Sequence, residues 1–210
     1  MVTNCRLART TPDARRDHII AVAAELFAHE GYGATSMSTI ATRLGGSKAT
    51  LYKYFASKEA LFEAVMECQC ERVLAPLRDL RGSDGDDLEP LLAEFGVLFL
   101  TKIYEPGALD VYRLVHSEGT RFPELAKVFF RSGPDAAIEE LRATLARFVD
   151  AGRIACPDLL LAAGQYLGML RGDRHLRFAV GGMPAPDDAE IARHARHAAR
   201  IFVAGVMPRA

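Results

Sequence analysis

Residues 36–62, SMSTIATRLGGSKATLYKYFASKEALF, decide the reading of the whole chain. Met37, Ile40, Ala41 and Leu44 recur at i, i+3, i+4 and i+7, the apolar stripe of a short amphipathic helix. Gly45-Gly46 supplies a helix stop. Ser47 is a good cap for a second, very short helix from Lys48 to Tyr54, and Ser57 caps a longer one running to about Arg81, with Pro76 expected to bend it near its end. Two short helices around a tight glycine turn make a helix-turn-helix at about 36–55. Ile40, Leu44, Leu51 and Phe55 are the apolar side chains that fix its angle.

Working outward toward the N-terminus, Thr11-Pro12-Asp13 opens an earlier helix: Thr11 as cap, Pro12 at the first position, Asp13 at the positive end of the dipole. Ile19, Ala23, Leu26 and Phe27 give it an apolar stripe, and Gly31 stops it. Toward the C-terminus, Gly82-Ser83-Asp84-Gly85-Asp86-Asp87 is a loop. Beyond it the pattern predicts helices at about 87–104, 107–118, 122–131, 134–152, 157–180 and 187–206, separated by Gly and Pro signals. No period-2 strand pattern emerges. The fold class is therefore all-α: a three-helix reading head at 13–73 and a larger helical part at 82–207.

Composition agrees with a globular chain. Half of the 210 residues are apolar, a quarter are charged, and the net charge is −1. The charge is unevenly spread. Residues 1–58 hold eight Lys and Arg against four acids, so the N-terminal quarter carries +4 and the remainder −5. A basic end on an acidic body points to a polyanionic partner at that end. No apolar run of membrane-spanning length is present, and the N-terminal stretch is polar and basic, so no membrane association and a cytoplasmic address are expected. Cys5, Cys68, Cys70 and Cys156 form no CxxC pair and predict no disulfide framework. A thiol sensor at Cys68 or Cys70 is the alternative to small buried apolar residues. No nucleophile–base arrangement, phosphate-cradling glycine loop or carboxylate pair is legible, so neither enzymatic activity nor a cofactor is expected. His194 and His197 share a helical face, but Arg193, Arg196 and Arg200 make that face electropositive, and no metal site is assigned.

The second helix of the motif offers donors suited to phosphates and base edges: Ser47, Lys48, Thr50, Tyr52, Lys53 and Tyr54. Lys58 opens the next helix, where charge and free N–H groups both suit a phosphate. Arg6, Arg9, Arg15 and Arg16 suit a backbone or minor-groove arm, with a non-contacting tail as the alternative.

Several runs then stand in register: Phe27 to Gly31, Thr35-Ser36-Met37 with Ile40-Ala41, Ser47-x-x-Thr50-Leu51-Tyr52-x-Tyr54-Phe55, and Ser57-Lys58-Glu59-x-Leu61-Phe62. Together they resemble the TetR family of bacterial transcriptional regulators, over about residues 13–73. Ala151-Gly152-Arg153-Ile154 followed by Leu167-Gly168-Met169-Leu170 resembles the AefR-like C-terminal subgroup. One departure is Gly46, where the family has a small apolar residue and where the missing side chain is expected to loosen the turn.

The resemblance implies a ligand-responsive repressor that binds palindromic double-stranded operator DNA as a homodimer. The alternative is an architectural or partner-binding DNA protein without an inducer. Lys48, Ala49, Thr50 and Lys53 are implied near base edges, and Ser36, Ser38, Tyr52, Tyr54 and Lys58 at phosphates. The same resemblance implies a pocket for a small hydrophobic or amphipathic effector in the C-terminal part. Its candidate lining is Phe95, Phe99, Tyr112, Arg113, His116 and Phe130, with Tyr166, Met169, Leu170 and Arg174. The last two helices are expected to pair with a second subunit. Gly164 and Gly168 allow close approach, and Ile191, Ala195, Ala198, Phe202 and Val206 form a narrow stripe whose alternative use is packing within the monomer.

Overall fold

The computed structural model describes residues 13–81 and 87–206. Among them every regular element is helical: α1 (Asp13–Glu30), α2 (Met37–Arg43), α3 (Lys48–Tyr54), α4 (Lys58–Arg81), α5 (Leu88–Ile103), α6 (Pro106–Glu118), α7 (Pro123–Ser132), α8 (Pro134–Asp150), α9 (Leu159–Ala179) and α10 (Asp188–Val206). These bounds fall close to those predicted from stop signals and stripes. The cap at Thr11 and the loop at 82–86 lie outside the described residues. Pro76 sits within α4 without ending it.

Packing divides the chain into two units that cut across the sequence division at about residue 80. One unit takes the described residues up to Arg72 together with Pro106–Gly133; the other takes Val73–Glu105 and the chain from Pro134 onward. The helices α6 and α7 thus pack with the reading head, which their position in the chain does not suggest.

In the first unit, Ile19, Ala23 and Phe27 of α1, Ile40 of α2, Leu51 of α3 and Leu61, Phe62 and Val65 of α4 are buried together with Leu114 of α6 and Leu125 of α7. An aromatic knot centres on Tyr32. Its ring meets Phe27, Phe62 and Phe122 at centroid distances of 5.4, 5.2 and 5.2 Å. Contrary to the expectation of isolated thiols, Cys68 on α4 is disulfide-bonded. Cys5 lies outside the described residues. Cys70 carries a free thiol whose pKa is pushed up to about 12 by burial and by Glu67, which makes it a poor thiolate sensor.

In the second unit, α5 packs against α9 and α10. Gly96 is what lets it close. A β-carbon there would stand 2.9 Å from Ala195 Cβ and from a Leu170 methyl. Tyr166 is fully buried and donates its hydroxyl to the Leu92 carbonyl at 2.6 Å. The stripe Ile191, Ala195, Ala198 and Phe202 is buried in this core, with Val206 packed against it. That corrects the reading that gave the stripe to a second subunit: the apolar side chains of α10 are used within the chain, because Gly96 opens a seat for them.

The single helix expected over 157–180 is also broken. Gly172 has φ 51° and ψ −167°, outside helical geometry. His194 of α10 places its Nε2 3.1 Å and 2.9 Å from the carbonyls of Met169 and Leu170, just before the break. Carbonyls at a break need outside donors, and His194 provides one.

His175, beyond the break, is buried against the edge of the Tyr104 ring. Burial, reinforced by the Arg171 charge, holds its pKa below the ordinary value. The unfolded chain therefore takes up this proton first. The stability contribution is whole above about pH 6.5 and is lost as pH falls through the lower folded value. A melting temperature that declines across this acidic window, with a shallower decline in His175→Leu, is the expected result. Equal slopes in the two proteins would contradict it.

Candidate nucleic-acid interface

The reading head is set by two matched caps. Ser36 Oγ accepts the Thr39 amide at 3.0 Å and lies 2.9 Å from Thr39 Oγ1. Ser47 Oγ accepts the Thr50 amide at 3.1 Å and lies 2.9 Å from Thr50 Oγ1. Between the two helices, the Gly45 amide donates to Thr42 O and the Gly46 amide to Ala41 O, at 3.0 and 3.1 Å. This pair of bonds with Gly45 at φ +64° is a Schellman stop, which favours glycine at its left-handed position. Gly46 therefore sits in a turn already closed by backbone bonds. A β-carbon added there would lie 3.3 Å from the exposed, flexible end of Arg15. Gly46→Ala is expected to raise stability by about 0.4–1 kcal/mol, read as a small rise in melting temperature. A fall would mean the turn needs the glycine.

Ile40, Leu51 and Phe55 are buried and Leu44 partly so, which fixes α3 on α2 and leaves its other face bare. Lys48, Ala49, Tyr52, Lys53 and Tyr54 are all exposed, as are Ser36, Ser38 and Ser47, while Thr50 is half-buried. Tyr52 and Tyr54 are 45% and 39% exposed, so each leaves part of its side chain open to a partner. The Lys48 ammonium lies 5.9 Å from the Tyr52 ring centroid. From Ser36 to Ser57 the chain has Arg43, Lys48 and Lys53 and no acidic residue. A face of cations and hydroxyls with no carboxylate is what a phosphate backbone selects.

The other basic residues are placed differently from the expectation. Arg15 and Arg16 belong to the first turns of α1, not to an arm, and the Arg16 guanidinium lies 5.2 Å from the Phe55 ring centroid. Arg6 and Arg9 lie outside the described residues. Lys58, expected at a phosphate, donates to the carbonyls of Tyr32 and Thr35 at 2.9 and 3.1 Å and sits 4.1 Å from the Tyr32 ring centroid. Its charge braces the turn between α1 and α2.

That turn is also held from the opposite side by a residue that motif reasoning misses. Glu118, the last residue of α6, accepts the amide of Tyr32 at 2.7 Å with one oxygen and the amide of Gly33 at 2.8 Å with the other. The turn thus meets an anion on its N–H groups and a cation on its carbonyls. Gly31, at φ +85°, leaves room for it: a β-carbon there would stand 2.5 Å from Glu118 Oε1. Tyr32 adds a hydroxyl bond to Glu59 at 3.2 Å. Nothing in the local sequence of α6 signals this clamp, since its two halves are separated by more than eighty positions.

The ten candidate effector residues divide between the units. Tyr112, Arg113 and His116 lie on α6 and Phe130 on α7, with Tyr112 stacked on His116 and Phe130 exposed. Phe95, Phe99, Tyr166 and Leu170 are buried in the second core, where the aromatic rings fill space instead of lining it. Met169 is partly buried beside them. Leu170 and Arg174 do border a cavity in that unit. Among the described residues no group of three or more His, Cys, Asp or Glu stands ready for a metal, and no helix is long and apolar enough to cross a membrane.

This geometry has counterparts. Residues 19–65 match the profile of the bacterial regulatory proteins of the tetR family, and residues 90–205 match that of the AefR-like transcriptional repressor C-terminal domain. The chain belongs to the TetR family of transcriptional regulators. It is 27% identical to the HTH-type transcriptional regulator RutR of Escherichia coli strain K12 over 202 residues, 93% of this chain and 92% of that one. It is 33% identical to the HTH-type transcriptional activator FasR of Mycolicibacterium smegmatis over 96 residues, 46% of this chain and 44% of that protein's length. Among solved structures, a TetR-family transcriptional regulator from Mesorhizobium loti superposes with TM-score 0.83 at 28% identity, covering 95% of this chain and all of that one. The flavonoid-responsive regulator FrrA superposes with TM-score 0.78 at 32% identity, covering 94% and 100%. The protein is a helix-turn-helix DNA-binding regulator of transcription.

Proposed function

We propose that the protein is a repressor that binds a palindromic double-stranded operator as a homodimer in the cytoplasm and leaves it when a small hydrophobic or amphipathic molecule binds. In this reading residues 13–73 are the DNA-binding domain and 82–207 the regulatory and dimerisation domain, and the chain has no enzymatic activity. Lys48, Ala49, Thr50 and Lys53 face base edges; Ser36, Ser38, Tyr52 and Tyr54 face phosphates. Ser47 holds α3 by its cap. Lys58 reaches DNA only if it gives up the turn it braces. The observation that carries this reading is the exposed, acid-free face of α3 on a capped two-helix frame.

A second subunit would cover apolar side chains that the monomer leaves exposed. Leu161 of α9 and Ile201 of α10 are exposed, as are Leu176 and Val180, and a β-carbon at Gly168 would meet open space. A palindromic operator offers two half-sites about 34 Å apart, one for each subunit of a two-fold pair. Effector response is supported by likeness to a regulator named for its response to flavonoids. The test is a fluorescence-anisotropy titration of operator DNA taken from upstream of the protein's own gene, repeated with a panel of flavonoids and other small amphiphiles. Release by at least one compound is the expected result. Tight operator binding that no compound weakens would favour the architectural alternative.

A further inference from the structure

A cavity of about 390 Å³ lies between α5, α9 and α10, and DNA reading makes no use of it. Leu100, Tyr104, Leu170 and Ile191 give it an apolar floor. Its rim carries two guanidinium groups, Arg174 and Arg193, and two imidazoles, His194 and His197, around one carboxylate, Glu190.

That carboxylate is already committed. Glu190 Oε2 accepts from Arg174 Nη2 at 2.8 Å and from the Asp187 amide at 3.1 Å, while Asp187 accepts the Glu190 amide at 2.8 Å. This is a reciprocal cap on the first turn of α10. One buried donor and one exposed guanidinium stand beside it. Arg174 Nε is buried and has no acceptor. Arg193 is exposed and has no carboxylate partner among the described residues. His194 Nε2 is engaged with the carbonyls before the break in α9.

We propose that this cavity binds a small organic carboxylate with an apolar body. Its carboxylate lies between the Arg174 and Arg193 guanidinium groups, and its body rests on Leu100, Leu170 and Ile191. A carboxylate held by two guanidinium groups gains charge-assisted bonds from both. A neutral ligand leaves the Arg174 donor less well matched, and a cation meets like charge. A bare inorganic anion leaves the apolar floor wet. The assignment rests on the reading that this regulator answers to a small molecule, and it gives that molecule a class and a seat.

The test is calorimetric titration of the full chain, without DNA, using octanoate and benzoate against octanamide and benzamide. Each acid is expected to bind about tenfold or more tightly than its amide. Arg174→Gln and Arg193→Gln should each remove most of that preference. Arg200→Gln, on the same helix outside the cavity, should keep it. Arg193 is exposed, so its variant keeps the test decisive if Arg174→Gln does not fold. Equal binding of acid and amide, no saturable binding of either acid, or an undiminished preference in both cavity variants overturns the site. Operator release is measured separately. Acid that binds without loosening DNA leaves the site standing and removes its effector role. Release by other compounds with no acid bound removes the site and leaves the effector reading intact.

Discussion

Tyr52→Ala is expected to weaken operator binding by about 1–3 kcal/mol, roughly fivefold to 150-fold, while the melting temperature barely moves. The two halves of that expectation have separate causes. Tyr52 is nearly half exposed on the bare face of α3, so its removal opens no core cavity. Its ring nonetheless presents an apolar body with a hydroxyl tip, a shape that can stack and donate at once. Lys48→Ala should cost a similar amount and also lower the salt dependence of binding by about one counterion. The ammonium of Lys48 lies over the Tyr52 ring, so the double variant should lose less than the sum of the single ones. Anisotropy titrations at several salt concentrations read all three effects. Unchanged affinity in both single variants would remove α3 from the interface.

Glu118→Ala is the second large effect, and it should move both stability and affinity. The carboxylate holds two amides of the turn that positions α2. A hydrogen bond to a charged group contributes about 1.5–3 kcal/mol, so the variant should melt several degrees lower. Operator affinity should fall as well, because the start of α2 is no longer fixed while Lys58 still pulls on the carbonyl side. Glu118→Gln keeps one acceptor oxygen and should fall between wild type and alanine. Gly31→Ala should behave like Glu118→Ala by another route, since its β-carbon would displace Glu118 and its backbone is left-handed. Thermal melts and the same DNA titration check this. Wild-type values for Glu118→Ala in both would show that the clamp is incidental.

The helices and the reading head are legible in the sequence because their signals are local. Ser47 caps α3, Gly45 stops α2, and Ile40 and Leu51 are buried positions of their short helices; each is decided within a few residues. What the sequence hides depends on distant partners. The Glu118 clamp joins the end of α6 to a turn far away in sequence. The α10 stripe reads as an interface with a second subunit, and it is core instead because α5, with Gly96 at the close approach, seats it. Lys58 has the profile of a phosphate contact, but its reach to Tyr32 and Thr35 is set by how α4 packs. Aromatic clustering points to effector residues whose rings mostly fill the core; the cavity lies instead where a rim with two guanidinium groups meets the broken α9. Gly172 stands inside the α9 stripe as the one local hint of that break, and a lone glycine in a helix does not say whether it bends.

Whether the bare face of α3 reads operator DNA is tested most directly by hydroxyl-radical footprinting of the region upstream of the protein's own gene, with wild type and the Lys48→Ala/Tyr52→Ala variant side by side. The expected result is two protected half-sites about one helical turn apart, on one face of the duplex, lost in the variant at the same protein concentration. Protection that persists unchanged in the variant, or no protected half-sites at any concentration where the protein is folded, would contradict it.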